Sequence, residues 1–146
     1  MKLSILAVIW ALSAALGQAA DNSCCELKVL VSPDVAAQLT VTIANVNVPV
    51  VRVLITQADR DFEVRVTTDN GREVERTEWG KRMLSQSFHG SIRDEELGTG
   101  QSVRQELDLS RLFELRSGTY EVALARFVFV DDVRVRLEAT AEIKIP

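Results

Sequence analysis

Apolar and polar residues alternate along most of this sequence with the two-residue period of half-buried β-strands. The clearest case is residues 133–145, where valine, leucine, alanine and isoleucine alternate with arginine, glutamate, threonine and lysine. The same alternation over residues 39–44, 62–66 and 103–109 predicts three further strands, each with one face towards a core. Residues 50–55 form a short, β-branched apolar run, which predicts a central strand covered on both sides.

Turn-forming residues separate these segments at short intervals. The Asp-Asn-Gly sequence at residues 69–71 is the strongest hairpin signal, because Asn-Gly tolerates the positive φ angles of a tight turn. Residues 72–77 are therefore predicted to return as the partner strand. Asp131 and Asp132 are predicted to form the turn between the last two strands.

Residues 100–124 predict one corner of a sandwich, with an alternating strand, a short helical turn and a second strand. Asp108 or Ser110 can cap the helical turn, and Gly118 releases the chain into the second strand. Tyr120 lies early in that strand. In immunoglobulin-like sandwiches, a tyrosine there can send its hydroxyl back to upstream backbone while its ring fills the core.

The number and spacing of these segments predict the fold class. About seven to nine short strands, with one short helical turn near residues 110–115, are typical of an antiparallel immunoglobulin-like β-sandwich. No linker, repeat or low-complexity run interrupts the sequence after the cysteines. We therefore predict a single all-β domain.

The first twenty residues have the pattern of a secretory signal peptide. Lys2 gives a positive start, residues 3–16 are apolar apart from two serines, and small residues follow at the cleavage site. A retained membrane anchor is the alternative, but a span needs about 18 apolar residues in a row. We expect residues 1–20 to be removed, residues 21–25 to form a tail and residues 26–146 to form the sandwich. The expected location is extracellular, or periplasmic in a bacterium, without membrane attachment.

Charge and the placement of reactive residues argue against several functions. The net charge is −4, or −5 once Lys2 is removed with the signal peptide, whereas nucleic acid binding requires a concentrated basic face. His89 has no nucleophile elbow or orienting acid beside it, which indicates an ordinary loop histidine. Residues 59–61 and 94–96 are acidic but lack the spacing of a calcium loop, so we interpret them as solvated turns. We predict no catalytic residue, metal ligand or cofactor.

The two cysteines, Cys24 and Cys25, are adjacent. Neighbouring Cα atoms lie about 3.8 Å apart, below the roughly 4.4 Å lower limit for an ordinary disulfide, so a bridge between them would be strained. We predict two free or capped thiols in a flexible tail. The alternative is an intermolecular disulfide that links two copies into a homodimer.

Several motifs of the predicted corner and hairpin resemble a known family. These are GQSV at residues 100–103, LDLS at 107–110, LFEL at 112–115 and GTYEV at 118–122. Upstream, FEV begins at Phe62, NGREV begins at Asn70, and Lys81 and Arg82 form a basic pair. Together they are similar to the immunoglobulin-like domain that precedes the catalytic domain of some secreted deuterolysin-type metallopeptidases. They also resemble small proteinase-inhibitor-like sandwich domains.

The resemblance implies the sandwich fold but not the activity of those peptidases. The peptidases hold zinc with a helical His-Glu-x-x-His motif, in which two imidazoles one turn apart bind the same ion. This sequence has a single histidine, His89, so the ligand pair is missing. We therefore expect a non-catalytic protein rather than an enzyme.

Residues 79–97 are the least regular segment, and we predict a long connection with one short strand near residues 83–88. Loops of this kind often carry binding residues, and aromatic and arginine side chains dominate interface energies. The candidate contact residues are Trp79, Lys81, Arg82, Phe88 and His89. The alternative for the tryptophan is a ring folded over the sandwich edge. We predict a protein-binding module that modulates or inhibits a secreted peptidase, with an assembly subunit joined by a disulfide or a strand edge as the rival hypothesis.

Overall fold

The computed structural model describes residues 24–146, and within them the chain forms eight strands and three short helices. The strands are β1 (Cys25–Val31), β2 (Gln38–Asn45), β3 (Val50–Ile55), β4 (Glu63–Thr68), β5 (Arg93–Gly98), β6 (Ser102–Asp108), β7 (Gly118–Val130) and β8 (Val133–Ile145). The helices are α1 (Ala58–Asp61), α2 (Glu78–Ser85) and α3 (Leu109–Leu112). The predicted signal peptide lies outside the described residues.

The strands form two antiparallel sheets, which confirms the predicted all-β sandwich. One sheet has the order β1-β2-β6. The other has the order β4-β7-β3-β5, and β8 pairs with the whole length of β7. The long strand β7 therefore organises the second sheet, because β4 pairs with its first half and β3 meets it near its end.

The core lies between the sheets and is made by alternate positions of the strands, as the sequence pattern predicts. In β2 the buried side chains are Leu39, Val41 and Ile43, and none of them is exposed to solvent. In β8 the polar positions are exposed, whereas Leu137 and Ile143 are buried. Burial of each such aliphatic side chain stabilises the folded state by about 1.5–3 kcal/mol, so the buried positions of the alternating strands supply the main stabilisation.

Strand β3 is central as predicted, because it lies between β7 and β5, but the prediction that it is covered on both sides was wrong. Val51 and Val53 face the core, but Arg52 lies on the outer face between them. Its guanidinium contacts Asp94 at 2.8 Å and Asp132 at 3.3 Å. Ion pairs with the neighbouring strand and turn therefore cover this part of the outer face.

The corner between β6 and β7 forms as predicted. Asp108 is the cap of α3, because its Oδ1 accepts a hydrogen bond from the backbone N–H of Ser110 at 2.9 Å. Gly118 begins β7 with a φ of +148°, an angle that other residues rarely adopt. The Tyr120 hydroxyl donates to the carbonyl of Arg116 at 2.8 Å and accepts from its N–H at 3.0 Å. The tyrosine corner is therefore present.

The predicted hairpin turn after β4 is present, but its second strand is not. Gly71 has a φ of +82°, and the Val74 N–H donates to Val66 at 2.9 Å. In the described chain only isolated bridges follow, and the last joins Arg76 to Phe113. The Arg76 guanidinium instead donates to the Val64 carbonyl at 2.8 Å, so a side chain caps part of the open edge of β4.

Residues 79–97 differ most from their prediction. The strand expected near residues 83–88 is absent from the described chain, and α2 occupies this region instead. Thr77 starts the helix, because its hydroxyl accepts a hydrogen bond from the Gly80 N–H at 3.0 Å. Residues 94–96 lie in β5 rather than in a solvated turn, since their backbone pairs with β3.

A buried polar network of the sandwich is centred on Arg126 in β7. Its guanidinium donates to Gln105 Oε1 and to the Leu54 carbonyl, both at 2.7 Å, while its Nε has no partner among the described residues. Gln105 donates in turn to Asp61 at 2.7 Å, and Asp61 accepts from the Thr56 N–H at 3.0 Å. The network joins both sheets to α1, and burial lowers the pKa of Arg126.

The corner makes a testable contribution to stability. Tyr120→Phe keeps the ring but removes both hydroxyl hydrogen bonds, so the free energy of unfolding should fall by about 0.5–1.5 kcal/mol. Tyr120→Ala also empties a buried site and should cost about 3–5 kcal/mol. Chemical denaturation of the two variants measures the difference, and equal losses would contradict the assigned role of the hydroxyl.

Candidate functional site

The candidate contact residues lie where the three helices pack against one another. Helix α2 contacts both α1 and α3, which are distant from it in sequence. The contact with α3 is close, since a Cβ atom on Gly80 would lie 2.2 Å from the Leu112 carbonyl oxygen. The Thr77 N–H also donates to that carbonyl at 3.0 Å. Glycine at position 80 therefore allows the first turn of α2 to lie directly on α3.

Trp79 lies between α1 and α3 and is partly buried against the core. Its indole Nε1 donates to Asp59 Oδ2 at 2.9 Å, and Asp59 itself is 9% exposed. The ring centroid lies 5.0 Å from the guanidinium carbon of Arg111 and 5.5 Å from that of Arg82. The ring folds over the sandwich as the alternative interpretation expected, and it also supports two arginine side chains.

Phe88 extends this arrangement towards α1. The guanidinium carbon of Arg60 lies 5.7 Å from the Phe88 ring centroid, and Arg60 Nη1 donates to the carbonyl of Gln86 at 2.7 Å. We refer to Arg60, Trp79, Arg82, Phe88 and Arg111 as the arginine–aromatic cluster. It contains two aromatic rings and three guanidinium groups, each within cation–π distance of a ring.

Two of the five candidate contact residues lie apart from this cluster. Lys81 contacts Glu78 at 3.1 Å on the exposed side of α2. His89 is exposed in the loop after α2, and no hydrogen bond or ion pair joins it to another described residue. Trp79, Arg82 and Phe88 are the candidates that the structure brings together.

Arg60 and Arg111 are not among the predicted contact residues, and the acids beside Arg60 do not lie in the predicted solvated turn. Residues 59–61 were interpreted as a solvated turn, but they form α1, and Asp59 is buried. Asp59 accepts the hydrogen bond from Trp79 and lies 3.7 Å from the Arg111 guanidinium. A single sequence carries no local signal for this contact, because twenty residues separate Asp59 from Trp79.

In the helical region, the acidic and the arginine side chains face different directions. Asp59 and Asp61 point inwards and accept hydrogen bonds from protein groups. Within residues 24–146, no carboxylate lies within ion-pair distance of Arg60 or Arg82. The cluster therefore presents positive charge outwards although the protein has a net charge of −4.

A second concave surface lies beside α2, on the sheet formed by β4, β7 and β8. It is a cleft of about 770 Å³ whose lining includes Ala123, Ala125, Leu84 and Phe113. Two of its arginines pair with its glutamates, as in the contacts of Arg136 with Glu63 and Glu138, both at 2.8 Å, whereas Arg76 donates to the Val64 carbonyl. The hydrogen bond from Arg136 holds the pKa of Glu63 below its ordinary value. The lining holds three arginines and three glutamates, so the cleft carries no net charge.

Cys25 is the first residue of β1 and is buried, so it belongs to the sandwich rather than to the expected tail. Its Sγ lies 3.0 Å from that of Cys24, which is partly exposed. Burial, together with the hydrogen bond to Cys24, raises the pKa of Cys25 to about 12. Of the two thiols, Cys24 is the one that a second chain can reach.

Comparisons with known proteins add no assignment to this geometry. No protein-family model matches the sequence, and no curated protein matches it. In residues 24–146, no group of three histidine, cysteine or acidic side chains is placed to hold a metal ion. None of the helices described is long and apolar enough to cross a membrane.

The contact between α2 and α3 is testable by Gly80→Ala. Helix propensity alone would favour alanine by about 1 kcal/mol, but the new methyl group would overlap the Leu112 carbonyl. We expect a net loss of about 1–3 kcal/mol in the free energy of unfolding. Gly98→Ala is the control, because its nearest neighbour would lie at 3.4 Å. Equal stabilities of the two variants would show that the helices are not packed this closely.

The environment of Cys25 predicts a dependence on pH. The unfolded chain releases the thiol proton near the ordinary pKa of 9.0, whereas the folded chain holds it to about 12. The stability contribution of Cys25 is therefore complete below pH 9.0 and disappears as the pH rises towards about 12. Denaturation at increasing pH should show this loss of stability, and Cys25→Ala should reduce the loss.

The difference in exposure of the two thiols is tested by alkylation. Iodoacetamide should alkylate Cys24 before Cys25, and equal rates for the two thiols would contradict the burial of Cys25.

Proposed function

We propose that this chain is a secreted, non-catalytic protein-binding module whose contact surface is the arginine–aromatic cluster. One observation supports this most directly: Trp79 and Phe88 lie beside three arginines, and no described carboxylate lies within ion-pair distance of Arg60 or Arg82. Tryptophan and arginine are the residues most enriched among those that dominate interface energies. The rings hold the guanidinium groups in place, so less side-chain entropy is lost on binding.

The proposed role is modulation or inhibition of a secreted peptidase. It rests on the predicted signal peptide at residues 1–20 and on the resemblance of the corner and hairpin motifs to domains that accompany or inhibit such enzymes. The resembling residues include Leu107, Leu109 and Tyr120, which are buried in the core. These core residues support a similarity of fold to those domains, whereas the exposed cluster supports the binding function.

An assembly subunit is the second candidate, and the position of β5 favours it. This strand lies at the end of its sheet and pairs only with β3 among the described strands. Its open backbone edge is available to a strand of another chain. Cys24 offers a second route, through an intermolecular disulfide. Size-exclusion chromatography under reducing and non-reducing conditions separates these possibilities, since a dimer that survives reduction favours the strand edge.

Affinity capture from the secreted fraction tests the proposed binding function. The test variant is Arg82→Glu rather than a Trp79 variant, because loss of Trp79 would also expose Asp59. The matched control is Arg134→Glu, which reverses the same charge on an arginine stacked 3.6 Å from the Phe127 ring. The wild type and the control should capture the same partner, and Arg82→Glu should not.

Thermal unfolding of both variants checks that they are folded, since neither arginine makes an ion pair with a described residue. Equal capture by Arg82→Glu and the wild type would refute the cluster as the contact surface. Failure of the wild-type protein to retain any partner would refute the proposed function itself.

A further inference from the structure

We infer that the arginine–aromatic cluster recognises carboxylate groups, so that its partner is a protein presenting an acidic surface segment. The inference rests on the proposed binding function and specifies the chemistry of the partner. It depends on the positions of the guanidinium groups, on the arrangement of the nearby acids and on the aromatic rings between the arginines.

A guanidinium held over an aromatic ring by a cation–π contact keeps N–H groups that can bind a further partner. The guanidinium carbons of Arg82 and Arg111 lie 5.5 and 5.0 Å from the centroid of the same Trp79 ring, and that of Arg60 lies 5.7 Å from the Phe88 centroid. The planar edge of arginine matches a carboxylate, which it binds through two parallel hydrogen bonds. The cluster therefore offers preorganised donors suited to glutamate or aspartate side chains.

Among the described residues, the protein's own acids leave Arg60 and Arg82 without an ion-pair partner, whereas Arg111 lies 3.7 Å from Asp59. Asp59 is directed at the Trp79 indole, and Asp61 accepts hydrogen bonds from Thr56 and Gln105 inside the sandwich. On the exposed side of α2, Glu78 pairs with Lys81 at 3.1 Å. The Arg82 guanidinium is exposed and makes no hydrogen bond or ion pair with a described residue, so an incoming carboxylate would bind it without displacing an internal partner.

The size of the cluster favours an acidic protein over a nucleic acid. Nucleic acid sites follow the phosphate backbone with an extended basic stripe. Here three arginines surround two partly buried rings, and the whole chain carries a net charge of −4. A long polyanion would be repelled outside the cluster, whereas a short acidic segment with an apolar neighbour can place its carboxylates on the arginines and its apolar side chain on Trp79 or Phe88.

The test uses the full-length protein, labelled with nitrogen-15, and three probes. They are a glutamate-rich peptide, the same peptide with glutamine at every glutamate position, and a single-stranded oligonucleotide. The indole N–H signal of Trp79 is the reporter, assigned as the signal that Trp79→Phe removes. Each probe is titrated at low and at moderate salt into the wild type, Arg82→Glu and the control Arg134→Glu.

The glutamate peptide should shift the Trp79 signal to saturation, and moderate salt should weaken its binding because the contact is partly exposed. Arg82→Glu should weaken it about tenfold or more, while Arg134→Glu should change it by less than about twofold. An equal response to the glutamine peptide, equal weakening by both variants, or tighter binding of the oligonucleotide would overturn the inference. Absence of any shift would also overturn the inference. If affinity capture of a partner still depended on Arg82, the proposed binding function would remain supported.

Discussion

A buried guanidinium, that of Arg126, is the constraint on which the arrangement of this sandwich depends. A buried charge is costly unless it is hydrogen-bonded, and here its two terminal nitrogens donate to Gln105 and the Leu54 carbonyl, which lie in different sheets. The Phe62 ring lies 5.1 Å from the same guanidinium. The two sheets therefore meet at a position fixed by directional bonds as well as by apolar packing.

The same network positions the candidate functional site. Gln105 donates to Asp61, and Asp61 accepts from the backbone at the end of β3, so α1 is held against β6. That placement directs Asp59 at the Trp79 indole and Arg60 at the Gln86 carbonyl. The exposed arginines are thus held by a chain of contacts that begins in the core, which is a sound basis for a preorganised binding surface.

The cluster brings together residues that are far apart in the sequence, and this explains which of them could be predicted. Trp79 and Arg82 were identified because their residue types are typical of interfaces, and Phe88 because it follows them closely. Arg60 and Arg111 belong to the same surface only because α1 and α3 both pack on α2. Their contribution depends on tertiary contacts, and local pattern contains no information about it.

The sequence by itself determined the elements whose signals are local. Alternation specified the strands, Gly71 specified the tight turn, and Asp108 and Tyr120 specified the corner, because burial of one strand face and turn geometry act over a few residues. Only the tertiary structure decided where α2 packs and that the acids of β5 form a strand. Thr77 caps α2 locally, but the position of the helix depends on the close approach of Gly80 to α3, and β5 depends on pairing with β3; both are long-range contacts.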